Sequence, residues 1–346
     1  MNIGIAGAGL IGRVLALNLL QKGGYHITLF DSDTAYGEEP AGITAAGMLA
    51  VFAELESAES IIFDIGQRSI ELWPGILDQL RISESFQQEG SIITAHPQDV
   101  TELDHFIASL QAKVPEAAKI EMLNREQIAA LEPDLDQHHK GFYLPHEGQV
   151  DAQVFMKTSA DYLLAHPDVT WHEGIRVDRL ETGTLVVAEE QYHYDWVFDC
   201  RGLGAQVEMP DLRGVRGEVF WLETPEVKIT RPTRMLHPRY KIYIVPRPHN
   251  RYIIGATEIE SEDKSPMSVR SSLELLSAVY SMHSGFAEAR ILKTTTNCRP
   301  AFKDNLPRIE QGEKITRING LYRHGYLMAP AIVEQALNEG IRRKKR

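Results

Sequence analysis

Three glycines and one aspartate carry the plainest chemistry in this chain. Gly7, Gly9 and Gly12 stand in a G-x-G-x-x-G spacing just after the apolar residues Ile3, Ile5 and Ala6, and Asp31 closes a second apolar run, Ile27–Phe30. In that spacing the first glycine allows a tight turn. The second lets backbone approach a pyrophosphate, and the third lets a helix pack closely on a strand. A helix read over Arg13–Gln21, apolar at Val14, Leu15, Leu17, Leu19 and Leu20, follows at once. Its N-terminus would offer unpaired N–H groups and a positive dipole end to phosphates. An acid about twenty residues beyond the glycines is placed to take the hydroxyls of an adenosine ribose. Strand, helix, second strand and terminal acid together imply a dinucleotide site; an ordinary βαβ unit is the alternative.

Those residues must be held by a sizeable scaffold. The 346 residues suffice for about two domains and a large core. Hydrophobic residues make up 43% and charged residues 24%, the balance of a globular protein, and the net charge of −12 argues against general affinity for nucleic acid. The basic run Arg342–Arg346 reads as a frayed tail. Cys200 and Cys298 make no metal or redox spacing, and His138–His139 lacks ligand spacing, so no metal site is expected and a reducing compartment fits. The first strand begins at Asn2 and no apolar run reaches transmembrane length. The expectation is a cytoplasmic protein without a membrane partner. Oligomeric state is open, a homo-oligomer included.

After Asp31 comes a polar turn and then AGITAAGMLA, residues 41–50, whose small side chains suit either close approach to a planar ring or tight helix packing. A long helix is read over Ser60–Leu80, with Ile62, Ile65, Ser69, Leu72, Ile76 and Leu80 as its apolar stripe and a distortion at Trp73–Pro74. Between 83 and 142 short strands mix with helices at Val100–Lys113 and from Asn124, where Asn124 and Gln127 have capping-box spacing. Asp151 is placed to cap a helix from Ala152. Val169–Trp171, Arg176–Leu180, Thr184–Ala188 and Gln191–Tyr194 read as short antiparallel strands, and Trp196–Cys200 as a buried strand of the nucleotide-binding sheet. From Arg216 the pattern turns β-rich, with strands at Gly217–Leu222, Lys241–Val245 and Tyr252–Ala256 and a helix at Val269–Tyr280. The C-terminal part predicts a strand around Leu321 and a helix from Ala331, with Pro330 at its mouth. These changes of character divide the chain at 83, 142, 213 and 295. The fold class is α/β within an overall α+β chain: a Rossmann-like domain from 1–82, 142–212 and 295–346, interleaved with an antiparallel-sheet substrate domain from 83–141 and 213–294.

Several blocks, in this order, resemble the D-amino-acid-oxidase-like FAD oxidoreductases, most closely the glycine oxidases of thiamine biosynthesis. They are GAGLIG with Asp31, AAGML, GQVD, RGVRGE, YIVPR followed by IIGAT, RPAFKDNLP and RHGYLMAP. The resemblance implies FAD rather than NAD. It implies oxidative deamination of glycine or another small amino acid by hydride transfer, with O2 as acceptor. As a carboxylate clamp it implies Arg299 and Tyr243, with Arg323 near the site. A guanidinium takes a carboxylate bidentately, and a phenol adds a donor without a second charge. The FAD contacts it implies are Gly7, Gly9, Leu10, Ile11, Gly12, Asp31, Ala45, Ala46, Gly47, Met48, Val177, Gly202, Arg323, Gly325, Tyr326 and Leu327. The final helix would aim its positive end at the flavin.

Four departures stand out. Glu258 follows G-A-T where the nearest relatives have an apolar residue. Val51–Phe52 replaces a proline-containing stretch, and Leu321 stands where a glycine–histidine pair is usual. Asn297 occupies the position at which some sarcosine-oxidising relatives attach flavin, so the FAD is expected to be non-covalent. Two other readings keep the flavin: a dehydrogenase passing electrons to a quinone or carrier, and a non-catalytic flavoprotein.

Overall fold

The expected strand–helix–strand unit is present as Asn2–Ala6, helix α1 (Leu10–Lys22) and His26–Phe30. The computed structural model describes residues 1–56, 60–237 and 242–341; the tail Arg342–Arg346 and Lys241, first residue of an expected strand, lie outside the described residues. The further helices are α2 (Ala41–Thr44), α3 (Ser60–Gln79), α4 (Val100–Lys113), α5 (Arg125–Leu131), α6 (Ala152–Ala165), α7 (Val269–Met282) and α8 (Gly325–Glu339).

Two sheets organise these elements. The first has six strands in the order Arg308–Gly312, Ile315–Asn319, Trp196–Asp199, Asn2–Ala6, His26–Phe30 and Val169–His172. All its pairings are parallel except the first. Trp196–Asp199 lies beside the first strand and is buried throughout, as its continuous apolar character requires. Val169–Trp171 departs from expectation: Val169–His172 is a parallel edge strand beside His26–Phe30, not part of an antiparallel group. Helix α6, just before it, supplies the crossover length that a parallel pairing needs. Only Arg179–Glu181, Thr184–Val187 and Glu190–His193 form the expected antiparallel set.

The second sheet has nine strands. Arg213–Glu223 is flanked by Arg251–Gly255 and by the twelve-residue strand Arg290–Ala301, and Ile242–Arg247 follows Arg251–Gly255. Its pairings are antiparallel except where Thr233–Leu236 runs parallel to Ser91–Ala95 and so joins the 83–141 segment to the rest. The division read at 295 falls within Arg290–Ala301. Both expected caps are in place. Asn124 and Gln127 form a reciprocal capping box on α5, and the Asp151 carboxylate accepts the Gln153 and Val154 amides at the start of α6.

Two helices correct the sequence reading. Helix α3 runs unbroken through Pro74, and it buries Ile62, Phe63, Gly66, Ser69, Ile70, Trp73, Ile76 and Leu77, while Ile65 and Leu72 are only half-buried. Helix α8 begins at Gly325, so Pro330 sits inside it and not at its mouth, and Leu321 follows the strand Ile315–Asn319 at the start of a 3-10 turn. A proline within a helix leaves the carbonyl four residues back without its donor. Here that carbonyl belongs to Tyr326, and the Trp73 indole N–H donates to it at 2.8 Å. The next amide, Ala331, donates to the Ser69 hydroxyl at 3.1 Å. Helix α3 thus repairs the two bonds that Pro330 disturbs, and Trp73 also stacks on the Tyr326 ring at 5.7 Å. Trp73→Phe keeps most of the packing but strands a buried carbonyl, so it is expected to lower stability by about 1–3 kcal/mol. Urea unfolding checks this: the midpoint should fall at constant slope. An unchanged midpoint would mean that the carbonyl has found another donor.

Candidate active site

The carboxyl ends of the parallel strands open onto a cavity of about 460 Å³. Order along the sheet explains why: from Asn2–Ala6 the chain goes by α1 to His26–Phe30 on one side, and Trp196–Asp199 lies on the other. Strand order that diverges in this way leaves a crevice at the strand ends, where ligands bind in α/β sheets. Gly7, Asp31, Cys200 and Gly320, which end or follow four of these strands, all line it.

The crevice is built for a dinucleotide. Gly7 has φ +93°, and a Cβ there would lie 2.4 Å from the Cys200 carbonyl, so no other residue fits the turn. At Gly12 a Cβ would lie 2.0 Å from the Gly7 carbonyl, so this glycine serves the strand–helix contact; it alone among the expected site residues stands back from the cavity. A Cβ on Gly9 would meet nothing nearer than Pro40, at 3.8 Å, so its absence leaves room for ligand. No side chain caps the N-terminus of α1, and its amides face a space that a pyrophosphate would fill.

Asp31 accepts the Ala8 amide on one oxygen and the Asp33 amide, at 2.9 Å, on the other. Burial raises its pKa, and those two amides oppose the rise. The carboxylate therefore fixes the glycine turn and also lines the cavity. Asp31→Ala is expected to weaken FAD retention by roughly ten- to a hundred-fold, the equivalent of one charge-assisted hydrogen bond at about 1.5–3 kcal/mol. FAD titration of the apoprotein measures it, and equal affinity in variant and wild type would reduce Asp31 to a turn-former.

Along the wall lie Leu10, Ile11, Ala45, Ala46, Gly47, Met48, Val177 and Gly202. Buried Arg247, of the YIVPR block, holds this wall by donating to the Ala46 carbonyl at 2.6 Å and to Gln149 Oε1. Asn297 also lines the cavity, and its side-chain amide donates to the Glu39 carbonyl at 3.1 Å. Gly325, Tyr326 and Leu327 present the first turn of α8, so the positive end of this helix lies at Gly325, six residues before the expected Ala331.

Arg299 and Tyr243 reach the same cavity from the second sheet. Glycines on adjoining strands make space for both. A Cβ on Gly217 would come within 2.2 Å of Arg299 Nη2, and one on Gly255, directly opposite Tyr243, within 2.5 Å of the phenol oxygen. Arg299 Nη1 donates to the Thr257 carbonyl at 3.2 Å, and among the described residues it has no carboxylate at ion-pair distance. Burial raises the Tyr243 pKa against the pull of Arg299 and Arg234, so the phenol stays a neutral donor.

Arg323 brings ion-pair partners that the sequence did not signal. It lines the cavity, but its Nε donates to Glu54 Oε2 at 2.6 Å and its Nη1 to Glu258 Oε2 at 3.0 Å. Glu54 also accepts Arg234 Nη2 at 2.6 Å, and His324 Nδ1 lies 3.2 Å away. Burial alone would raise the Glu54 pKa, but Arg323 and Arg234, with His324, hold it well below the usual carboxylate range. Buried Glu147 fixes the turn that carries Glu54 by accepting the Phe52 and Ala53 amides at 2.8 and 2.9 Å. Glu54, Arg234 and Glu147 were missed in the sequence; the acids in AELES and PHEGQ carry no local signal.

A glycine turn at the end of a parallel strand, sharing one cavity with an arginine and a tyrosine from an antiparallel sheet, defines a dinucleotide-dependent oxidoreductase. The chain belongs to the FAD dependent oxidoreductase family, whose model matches residues 2–336, and FAD is its cofactor. It is 38% identical over 333 residues to a protein of Rhizobium etli that bears the name thiamine biosynthesis oxidoreductase ThiO, covering 96% of this chain and 94% of that one. It is 24% identical over 351 residues to the glycine oxidase of Geobacillus kaustophilus, covering 95% and 90% of the two chains. The crystal structure of a glycine oxidase from that organism superposes with a TM-score of 0.83 at 22% identity, over 99% of this chain and 95% of the other. Iminodiacetate oxidase from Chelativorans sp. BNC1 shares the fold at a TM-score of 0.80 and 19% identity, over 96% and 94%. No helix among the described residues is long and apolar enough to cross a membrane.

Proposed function

We propose that this protein oxidises glycine or another small amino acid, passing a hydride from the α-carbon to FAD and giving an imine, with O2 reduced to hydrogen peroxide. The observation that carries the reading is Arg299, with no carboxylate partner among the described residues, beside the neutral phenol of Tyr243 in the cavity that holds the glycine turn. When bound, FAD supplies the two-electron acceptor. The residues supply position. Arg299 would take the substrate carboxylate with two parallel N–H donors, and Tyr243 would add a third donor. Fixing the carboxylate at two points sets the α-carbon and its hydrogen, and such positioning removes several kcal/mol from a barrier without a side-chain base. The free amine must be neutral to lose a hydride, and its proton leaves to water.

The identity to a protein named for thiamine biosynthesis supports supply of the imine to the thiazole branch of that route. The FAD is read as non-covalent because Asn297 forms no flavin link. The substrate lobe is read as 83–141 with 213–294, the FAD lobe as the remainder, and the location as cytoplasmic. Anaerobic bleaching of the flavin by a panel of glycine, sarcosine, D-alanine and D-proline, followed by peroxide assay in air, tests the reading. Bleaching without peroxide would select a dehydrogenase that uses a quinone or carrier. No bleaching by any amine would leave a binding flavoprotein.

A further inference from the structure

The charges around the substrate end of the cavity come in unequal numbers. Arg234, Arg299 and Arg323 face Glu54 and Glu258, and among the described residues these are joined by Arg234–Glu54, Arg323–Glu54 and Arg323–Glu258. Three cations against two carboxylates leave one positive charge, and it falls to Arg299, which donates to the Thr257 backbone carbonyl. That surplus matches a ligand with a single carboxylate.

The two acids hold Arg323 in unlike ways. Glu54 is buried, fixed by two arginines, and sits on a turn locked by Glu147. The Glu258 side chain is half-exposed, accepts the Tyr322 hydroxyl, and meets Arg323 at its outer nitrogen, Nη1, at 3.0 Å. The Nη1 edge is the part of the guanidinium that a ligand carboxylate would compete for. We propose that Glu258 is a specificity-determining residue: by occupying Arg323 it denies the site a second carboxylate-binding cation and restricts the enzyme to monocarboxylate substrates. Removing its charge opens Arg323 to the distal carboxylate of a dicarboxylic amine. This inference rests on the assignment of the first carboxylate to Arg299.

The test is calorimetric and needs no turnover. Acetate, malonate, succinate and iminodiacetate are titrated into FAD-loaded wild type, Glu258→Gln, and the double variant Glu258→Gln/Arg323→Met. In Glu258→Gln the ratio of the acetate Kd to the best dicarboxylate Kd should rise at least tenfold, and the double variant should lose that gain. A ratio within twofold of wild type, or a gain that survives loss of Arg323, overturns the proposal. Arg299→Ala is titrated in parallel. If it leaves acetate binding unchanged, the anchor reading fails, whereas the dicarboxylate gain in Glu258→Gln still decides the role of Glu258.

Discussion

Arg299→Ala should lower kcat/KM for the preferred small amino acid by about 3–5 kcal/mol, between two and four powers of ten. Two costs add. The substrate carboxylate would be desolvated with only the Tyr243 phenol as partner, and the α-hydrogen would lose its fixed position. Arg299→Lys separates them, because it keeps the charge but loses the planar fork. It should raise KM modestly and slow flavin reduction more. Geometry at this site is unforgiving in another respect: Arg299 lies against the face of Gly217 with no room for a methyl group. Amines without a carboxylate should be nearly indifferent to both substitutions. The measurement is the anaerobic rate of flavin reduction against concentration, for glycine and for a simple amine, in the three proteins. Glycine turnover within a few-fold of wild type in Arg299→Ala would move the carboxylate elsewhere, and Arg234 would be the next residue to test.

What was legible in the sequence was local. The glycine turn depends on backbone conformation over six residues, and the caps at Asn124 and Asp151 depend on partners two or three residues away. The fold class followed because period and turn residues agree within each element. The start of α8 was misread because the remedy for Pro330 comes from Trp73 and from Ser69, separated from their partners by 253 and 262 residues. Arg323 is the same kind of case. Its motif identified the position, but its pairing in the site is set by Glu54, 269 residues earlier, and by Glu258. Asp31 was legible as the acid at the end of the second strand, whereas its bond to Ala8, across the turn, was not. Contacts at such separations leave no spacing to read.

Arg13 is the residue whose weight was most thoroughly hidden, and its replacement carries the second large prediction. As the first residue of an amphipathic run it looks like a surface charge, yet it is only 2% exposed. Its Nε donates to the Ala8 carbonyl at 2.7 Å and its Nη2 to the Ala35 carbonyl at 2.7 Å, while Nη1 donates to the Met156 carbonyl. The guanidinium also lies over the Trp171 ring, 5.1 Å from its centre. Burial pushes its pKa down to about 10, so it remains charged at neutral pH, solvated by carbonyl dipoles rather than by a carboxylate. Exchanging a buried ion for an apolar side chain is often harmless when its partners leave with it. Here the partners are backbone and stay behind: Ala8 and Ala35 are both buried, and each stranded carbonyl costs about 1–3 kcal/mol. Arg13→Met, which preserves the length of the stem, is therefore expected to lose about 3–5 kcal/mol of stability. It should also loosen FAD, because Ala8 lies between Gly7 and Gly9. Arg13→Lys, with one ammonium for three diverging acceptors, should fall between the two. Urea unfolding of the apoproteins and FAD titration measure the two effects separately. A methionine variant as stable as wild type, with FAD held as tightly, would show that water or rearranged backbone satisfies the carbonyls and that Arg13 does not brace the glycine turn.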